Sequence, residues 1–208
     1  MPLQNRVRPD GQLVADPTRG LFMGNRGGRI HNPATRSLTR RRWTSKSWII
    51  CQTAFKDRHR IVWGQSYTEL FFLDEVTALA AGHRPCFECR RADASAFLDA
   101  ARPDMSPGDA NIPWRAPDLD RALHSERLET TQSDTARQQI DDLPDGSMIR
   151  FDGAIWAVDG SALKHWTPNG YDITQCRPAA VPVTVLTPPT TLRALAQGYR
   201  PVWHLSRE

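Results

Sequence analysis

Four cysteines stand at Cys51, Cys86, Cys89 and Cys176, and two of them form a Cys-x-x-Cys pair within Pro85-Cys86-Phe87-Glu88-Cys89. Two thiolates three residues apart on a tight turn can share one tetrahedral Zn²⁺, with Zn–S distances of about 2.3 Å. A thioredoxin-like redox pair would instead open a helix after a strand in a βαβ unit. Here a predicted helix precedes the pair, and Pro85 lies before it rather than inside it, so the metal knuckle fits better. Cys51, on a predicted hairpin before it, is the natural third ligand. The fourth position has four candidates: His59 beyond the hairpin turn, His83 three residues before the knuckle, Cys176 far along the chain, or water. Water would leave the position open for catalysis. Ordinary buried thiols with no metal are the plain alternative.

Phe71-Phe72 followed by Ala78-Leu79-Ala80-Ala81-Gly82-His83-Arg84-Pro85-Cys86-Phe87-Glu88-Cys89-Arg90 resembles the zinc-binding domain of the bacterial Ada methylphosphotriester DNA repair protein. The likeness covers residues 48–93, about a fifth of the chain. In that family four cysteines bind zinc, and the first accepts a methyl group from a DNA phosphotriester. The resemblance makes Cys51 the counterpart of that first cysteine, and Cys86 and Cys89 the counterparts of the last pair. The family's second cysteine follows the first by four residues, a position held here by Phe55. The longer chain, from Arg41-Arg42-Trp43 to Tyr199-Arg200-Pro201, resembles bacterial proteins of similar length, a likeness that implies no activity.

A competing constellation pairs the P-C-x-x-C half of the zinc deaminase signature with an H-x-E, here His124-Ser125-Glu126. In such a site His124 would join Cys86 and Cys89 on zinc, and Glu126 would shuttle protons. The signature places H-x-E first, whereas here it follows Cys89. On a helix His124 and Arg127 share a face and Glu126 points elsewhere, which suits a pairing with a neighbouring helix better than catalysis. The G-x-S-x-G elbow, the phosphate loop, the dinucleotide fingerprint and H-E-x-x-H do not occur, which excludes the enzyme families built on them.

The formal net charge of +4 over 208 residues conceals a segregation. Residues 19–60 hold eleven basic side chains and one acidic one, Asp57, leaving a segment of +10 attached to a remainder of −6. Clustered arginine neutralises phosphates and releases counterions, so the pattern points to a polyanion. The residues assigned to nucleic acid are Arg40, Arg41, Arg42, Trp43, Lys46, Arg58, Arg60, Arg90 and Arg91, with DNA favoured over RNA. The N-terminus lacks the apolar core of a signal peptide and no stretch reaches transmembrane length. The expectation is a cytoplasmic protein with no membrane partner.

The elements that must position these residues follow from local signals. Residues 1–40 are rich in Gly, Pro, Asn and Arg and predict an irregular basic arm. Alternation predicts a hairpin from strands near 48–51 and 60–63, turning at Lys56-Asp57-Arg58. Glu69–Leu73 reads as a buried strand, Asp74 as the N-cap of a helix over 75–81, and Gly82 as its left-handed stop. A second helix spans about 90–101, and a third about 118–132. Asp152-Gly153 and Asp159-Gly160 mark hairpins between Met148–Phe151, Ile155–Val158 and Ala162–Trp166. Val181–Leu186 follows as a strand and Thr191–Gln197 as a helix stopped by Gly198. Ala78–Pro85 and Ala194–Pro201 match closely, which is most simply a shared Gly-capped helix exit. The predicted class is α+β: an irregular arm (1–40), an Ada-like zinc module (41–101: hairpin, strand, helix, Cys-x-x-Cys turn, helix), a Pro-rich linker (102–117), then a helix and a small β-rich subdomain (118–208).

Overall fold

The computed structural model describes residues 1–58, 61–104, 113–130 and 137–208. It is a mixed α+β structure, but its first sheet starts earlier than the sequence suggests. Five short strands come from the first forty residues: β1 (Arg6–Val7), β2 (Leu13–Val14), β3 (Phe22–Asn25), β4 (His31–Asn32) and β5 (Ser37–Leu38). The expectation of an irregular arm is thereby corrected. Among the described residues, strands β4 and β5 pair only with each other.

After β6 (Ile49–Gln52) come β7 (Leu70–Phe72), helix α1 (Glu75–Ala80) and β8 (Arg84–Pro85). The first sheet runs β2-β1-β7-β3-β6-β8. Strand β3 lies antiparallel between β6 and β7, with Met23 opposite both Cys51 and Phe71. Gly24 permits this close approach, since a Cβ there would fall 2.0 Å from the carbonyl oxygen of Ile49. Among the described residues, the hairpin expected between 48–51 and 60–63 does not form. The neighbours of β6 are β3 and β8, and Trp63 turns with φ of +57°. Its buried indole donates to the carbonyl of Glu69, and its backbone N–H to the Glu69 carboxylate. The residues around Trp63 therefore form a packed loop, for which alternation is no guide.

Helix α1 starts at Asp74, whose Oδ1 accepts from the Thr77 N–H at 2.9 Å, as an N-cap should. Every residue of this helix is buried, because it lies between two apolar clusters. Ala78 and Leu79 pack with Ile50, Phe72, Phe97, Leu119 and Leu195. Val76 and Ala80 pack with Met148, Ile155 and Trp166. The first cluster draws on residues from Val7 to Tyr199, so the core crosses the boundaries read from the sequence. Helices α2 (Arg91–Ala100) and α3 (Ala116–Thr130) follow, with Pro117 in the first turn of α3. Much of the Pro-rich stretch before it lies outside the described residues.

The second sheet comprises β9 (Arg137–Gln139), β10 (Met148–Phe151), β11 (Ala154–Asp159), β12 (Ala162–Thr167), β13 (Gly170–Cys176) and β14 (Pro182–Val185), followed by helix α4 (Pro189–Ala196). Its order is β13-β12-β11-β10-β14-β9, antiparallel throughout. The Asp152-Gly153 turn has positive φ at both residues, as a two-residue hairpin requires. No helix among the described residues is long and apolar enough to cross a membrane.

Candidate metal centre and its cavity

The register of the first sheet puts Ile49 and Cys51 of β6, Met23 and Asn25 of β3, and Phe71 of β7 on one face. These residues are the floor of a cavity of about 340 Å³. The chain from Gln52 to Arg58, together with Val62 and Tyr67, supplies walls, and Glu69 closes the far end. The knuckle reaches the same cavity from the sheet edge. Strand β8 lies parallel to β6, the Cys86 N–H donates to the Ile50 carbonyl at 2.9 Å, and the Arg90 N–H closes the turn on the Cys86 carbonyl at 2.9 Å. Cys51, Cys86 and Cys89 thus line one cavity, and their sulfur atoms all lie within 4.8 Å of one another.

That spacing suits a metal ion. Three thiolates around tetrahedral zinc would sit about 3.8 Å apart, given Zn–S of about 2.3 Å, which falls within that limit. The thiols are also electrostatically prepared. A hydrogen bond from Cys51, opposed by burial and helped by the backbone N–H groups of Cys89 and Glu88, draws Cys86 down to about 5. Cys51 is pushed far up by that same contact with Cys86 and by burial, while burial raises Cys89. A cation would favour the ionised form of all three thiols. The donor set fits a soft or borderline metal.

Among the described residues no further His, Cys, Asp or Glu joins the three. His83 is fully buried with its ring against Trp48 and Phe72, at centroid distances of 5.0 and 4.8 Å. Burial, followed by the charges of Arg26 and Arg127, holds it neutral well below the usual histidine range. It is a packing residue rather than a ligand. Cys176 is exposed at the end of β13 in the other sheet. His59 lies outside the described residues.

The structure does not bring the H-x-E pair to the cysteines either. His124 meets Trp43 edge-on at 5.3 Å. The Glu126 carboxylate accepts from the Thr190 N–H at 3.0 Å and from the Thr190 hydroxyl at 2.6 Å, so it caps the first turn of α4 from α3. His124 thus packs on the loop before β6, and Glu126 joins α3 to α4.

The arginines divide into two groups. Arg40, Arg41, Arg42 and Lys46 are exposed. Arg40 and Arg41 border a shallow concavity with Arg29, His31 and Thr39. Arg58 stands at the cavity beside the cysteines and pairs with Glu88. Arg91 is exposed at the start of α2. Trp43 is half-buried against Trp48 and His124. Arg90 is a correction: it is 5% exposed and pairs with buried Glu75 at 2.8 Å, which removes it from any phosphate-binding surface. Arg60 lies outside the described residues.

Sequence reasoning missed Asn25, Tyr67 and Glu69 in the cavity, and Arg26 beneath it. Arg26 is 3% exposed with its guanidinium 4.0 Å from the centre of the Trp48 ring. Burial, then the charges of Arg127 and Arg42, lower it to about 9. The apolar Leu21-Phe22-Met23 ahead of Gly24 was the available signal for β3. Glu69, a lone acid before an apolar strand, gave none. No protein-family model, curated protein or solved structure matches the chain.

Proposed function

We propose that the protein is a zinc-stabilised nucleic-acid-binding protein, with DNA its preferred partner and a role in DNA repair or modification. The observation that carries this reading is the physical link between the basic ribbon and the cysteine cavity. Arg36 donates to the Val62 carbonyl at 3.0 Å and Arg29 to that of Gln65 at 3.2 Å. The His31 ring bonds the Gly64 carbonyl at 2.9 Å and the Thr68 hydroxyl at 2.7 Å. The segment that walls the cavity is thus the segment on which the β4–β5 ribbon rests. A strand lying along Arg29, Arg40, Arg41, Arg42 and Lys46 would be led towards Arg58 and the three thiols.

Cys51, Cys86 and Cys89 would hold the ion and clamp β6 to the knuckle. The fourth position would fall to His59 or to a small ligand from the cavity. The likeness to the Ada zinc domain supports both the metal and the DNA partner. In a filter-binding series, affinity for single-stranded DNA should fall steeply with salt. Replacing Arg40 and Arg41 together by Ala should reduce the slope of log K against log salt by about 1.4 to 1.8. Absence of binding at low salt would remove the function.

A second reading, a zinc-dependent hydrolase or deaminase acting on a base or nucleotide, draws support from the cavity rather than from His124 and Glu126. A zinc ion held by Cys51, Cys86 and Cys89 would supply a Lewis-acidic position that could acidify a bound water. Ammonia or inorganic phosphate released from nucleotides by the zinc-loaded protein, and not by the Cys86→Ser variant, would establish it.

A further inference from the structure

At the end of the cavity remote from the cysteines lies a carboxylate that the fold does not neutralise. Glu69 is 2% exposed. One carboxylate oxygen accepts from the Trp63 N–H at 2.9 Å, and the other, Oε1, has no partner among the described residues. No described Lys, Arg or His forms an ion pair with it. A buried carboxylate oxygen left without a donor is costly, so a group that supplies N–H bonds would be held strongly there.

Its neighbour has the opposite character. In the β3–β7 register, where Gly24 faces Leu70, the next two residues outward are Asn25 and Glu69, both lining the cavity. The Asn25 Oδ1 accepts from the Gly27 N–H at 2.9 Å, which leaves the side-chain amide to act as a donor. Phe55, Tyr67 and Phe71 add aromatic surface. A volume of about 340 Å³ lies at the lower end of the range for small-ligand sites. The walls therefore offer one donor, two carboxylate acceptors and aromatic faces, with a cation, Arg58, also present.

The Watson–Crick edge of guanine is the complement: an acceptor at O6 followed by donors at N1 and N2. Single-stranded bases are read in this way, stacked on aromatic rings and hydrogen-bonded along that edge. We propose that the cavity is a recognition pocket for an unpaired guanine base, with Glu69 accepting from N1–H and N2–H, Asn25 donating to O6, and Arg58 meeting the phosphate. Adenine and cytosine present an acceptor where guanine presents N1–H, which would face the carboxylate unfavourably. The proposal rests on the nucleic-acid reading for the delivery of the base, but not for the pocket itself.

The test uses the full zinc-loaded chain and two families of probe. Fluorescence-detected titrations compare dGMP with dIMP, which lacks only the N2 amine, and with dAMP. Twelve-residue thymidine oligomers carrying one central dG, dI or dA are titrated in parallel. The expected result is about tenfold tighter binding of dG than of dI or dA in both families. Glu69→Gln should abolish the preference for dG over dA, since an amide matches adenine's donor and acceptor. The change of probe from dG to dI needs no mutation, so the test survives a variant that fails to fold. Oligomers binding with equal affinity whatever their central base would overturn the pocket and leave the nucleic-acid reading intact. Selective dGMP binding with no oligomer binding would uphold the pocket and overturn the nucleic-acid reading. Failure of every probe would overturn both.

Discussion

The segments Ala78–Pro85 and Ala194–Pro201 agree at six of eight positions and share a backbone, yet do different work. In the first, the Gly82 N–H reaches the Leu79 carbonyl at 2.9 Å and the His83 N–H reaches Ala78 at 3.0 Å. In the second, Gly198 reaches Leu195 at 3.0 Å and Tyr199 reaches Ala194 at 2.9 Å. Both glycines have positive φ, +78° and +95°, the Gly-capped exit that satisfies the last helical carbonyls. The first exit then runs beside β6 and delivers Cys86 to Cys51. The second has no cysteines and turns back on α1, where the Tyr199 hydroxyl donates to Glu75 at 2.6 Å and the Val202 N–H at 3.0 Å. One backbone device presents the candidate ligands, and its copy braces the helix that leads to them.

The sharpest way to break this contrast is to remove a sulfur. Cys86→Ser should eliminate bound zinc and cost about 3 kcal/mol or more, a fall in Tm on the order of 10 °C. Cys176→Ser should leave both metal content and Tm unchanged. Elemental analysis with calorimetry checks the pair, and equal zinc in the Cys86 variant and the parent would defeat the assignment.

The two glycines give the next effect. A Cβ at Gly82 would lie 2.7 Å from the Arg127 side chain, whereas one at Gly198 meets nothing within 4 Å. Gly198→Ala should therefore cost only the left-handed strain, about 1 kcal/mol, and Gly82→Ala about 2–3 kcal/mol with weakened metal retention. Urea denaturation that ranks them the other way would show that the exits are not divided as described. Tyr199→Phe comes third, at about 1–2 kcal/mol for a lost hydrogen bond to a buried carboxylate, and it should leave zinc content untouched.

The residues after the two glycines differ in a way that pH can read. His83 is neutral in the folded chain, held well below its ordinary 6.5 by burial, whereas Tyr199 is pushed up by burial and stays protonated. The unfolded chain takes up a proton at His83 near 6.5, and the folded chain only far below that. The neutral ring's contribution is therefore complete above about 6.5 and is lost as pH falls towards the folded value. Tm measured down through this window should fall less steeply in His83→Phe than in the parent. Identical slopes would contradict a buried neutral histidine.

What could be read from the chain depends on how local each signal is. The Asp152-Gly153 hairpin, the Asp74 cap and the Gly82 and Gly198 stops are written in a few adjacent residues, and all occur in the structure. The second hairpin also forms, but Asp159 pairs with Ala162 and the turn is Gly160-Ser161 rather than Asp159-Gly160. The first sheet is assembled instead from strands of two to four residues that pair across long separations. Such strands have no turn signal, and so β3 was hidden in a segment rich in Gly and Arg. Cys86 and Cys89 were legible because their spacing is chemically specific. Cys51 was placed with them on the expected hairpin, whereas it is the β6–β8 pairing that brings it to the knuckle. Glu69 and Asn25 were not legible, since only the β3–β7 register makes them neighbours.

The account depends most on the three-thiol metal centre, and X-ray absorption at the zinc edge of the zinc-loaded full chain measures it directly. The prediction is one zinc per chain with three sulfur neighbours at about 2.3 Å and one lighter neighbour, nitrogen or oxygen. A shell of nitrogen and oxygen alone, or no bound zinc after exhaustive dialysis, would contradict it.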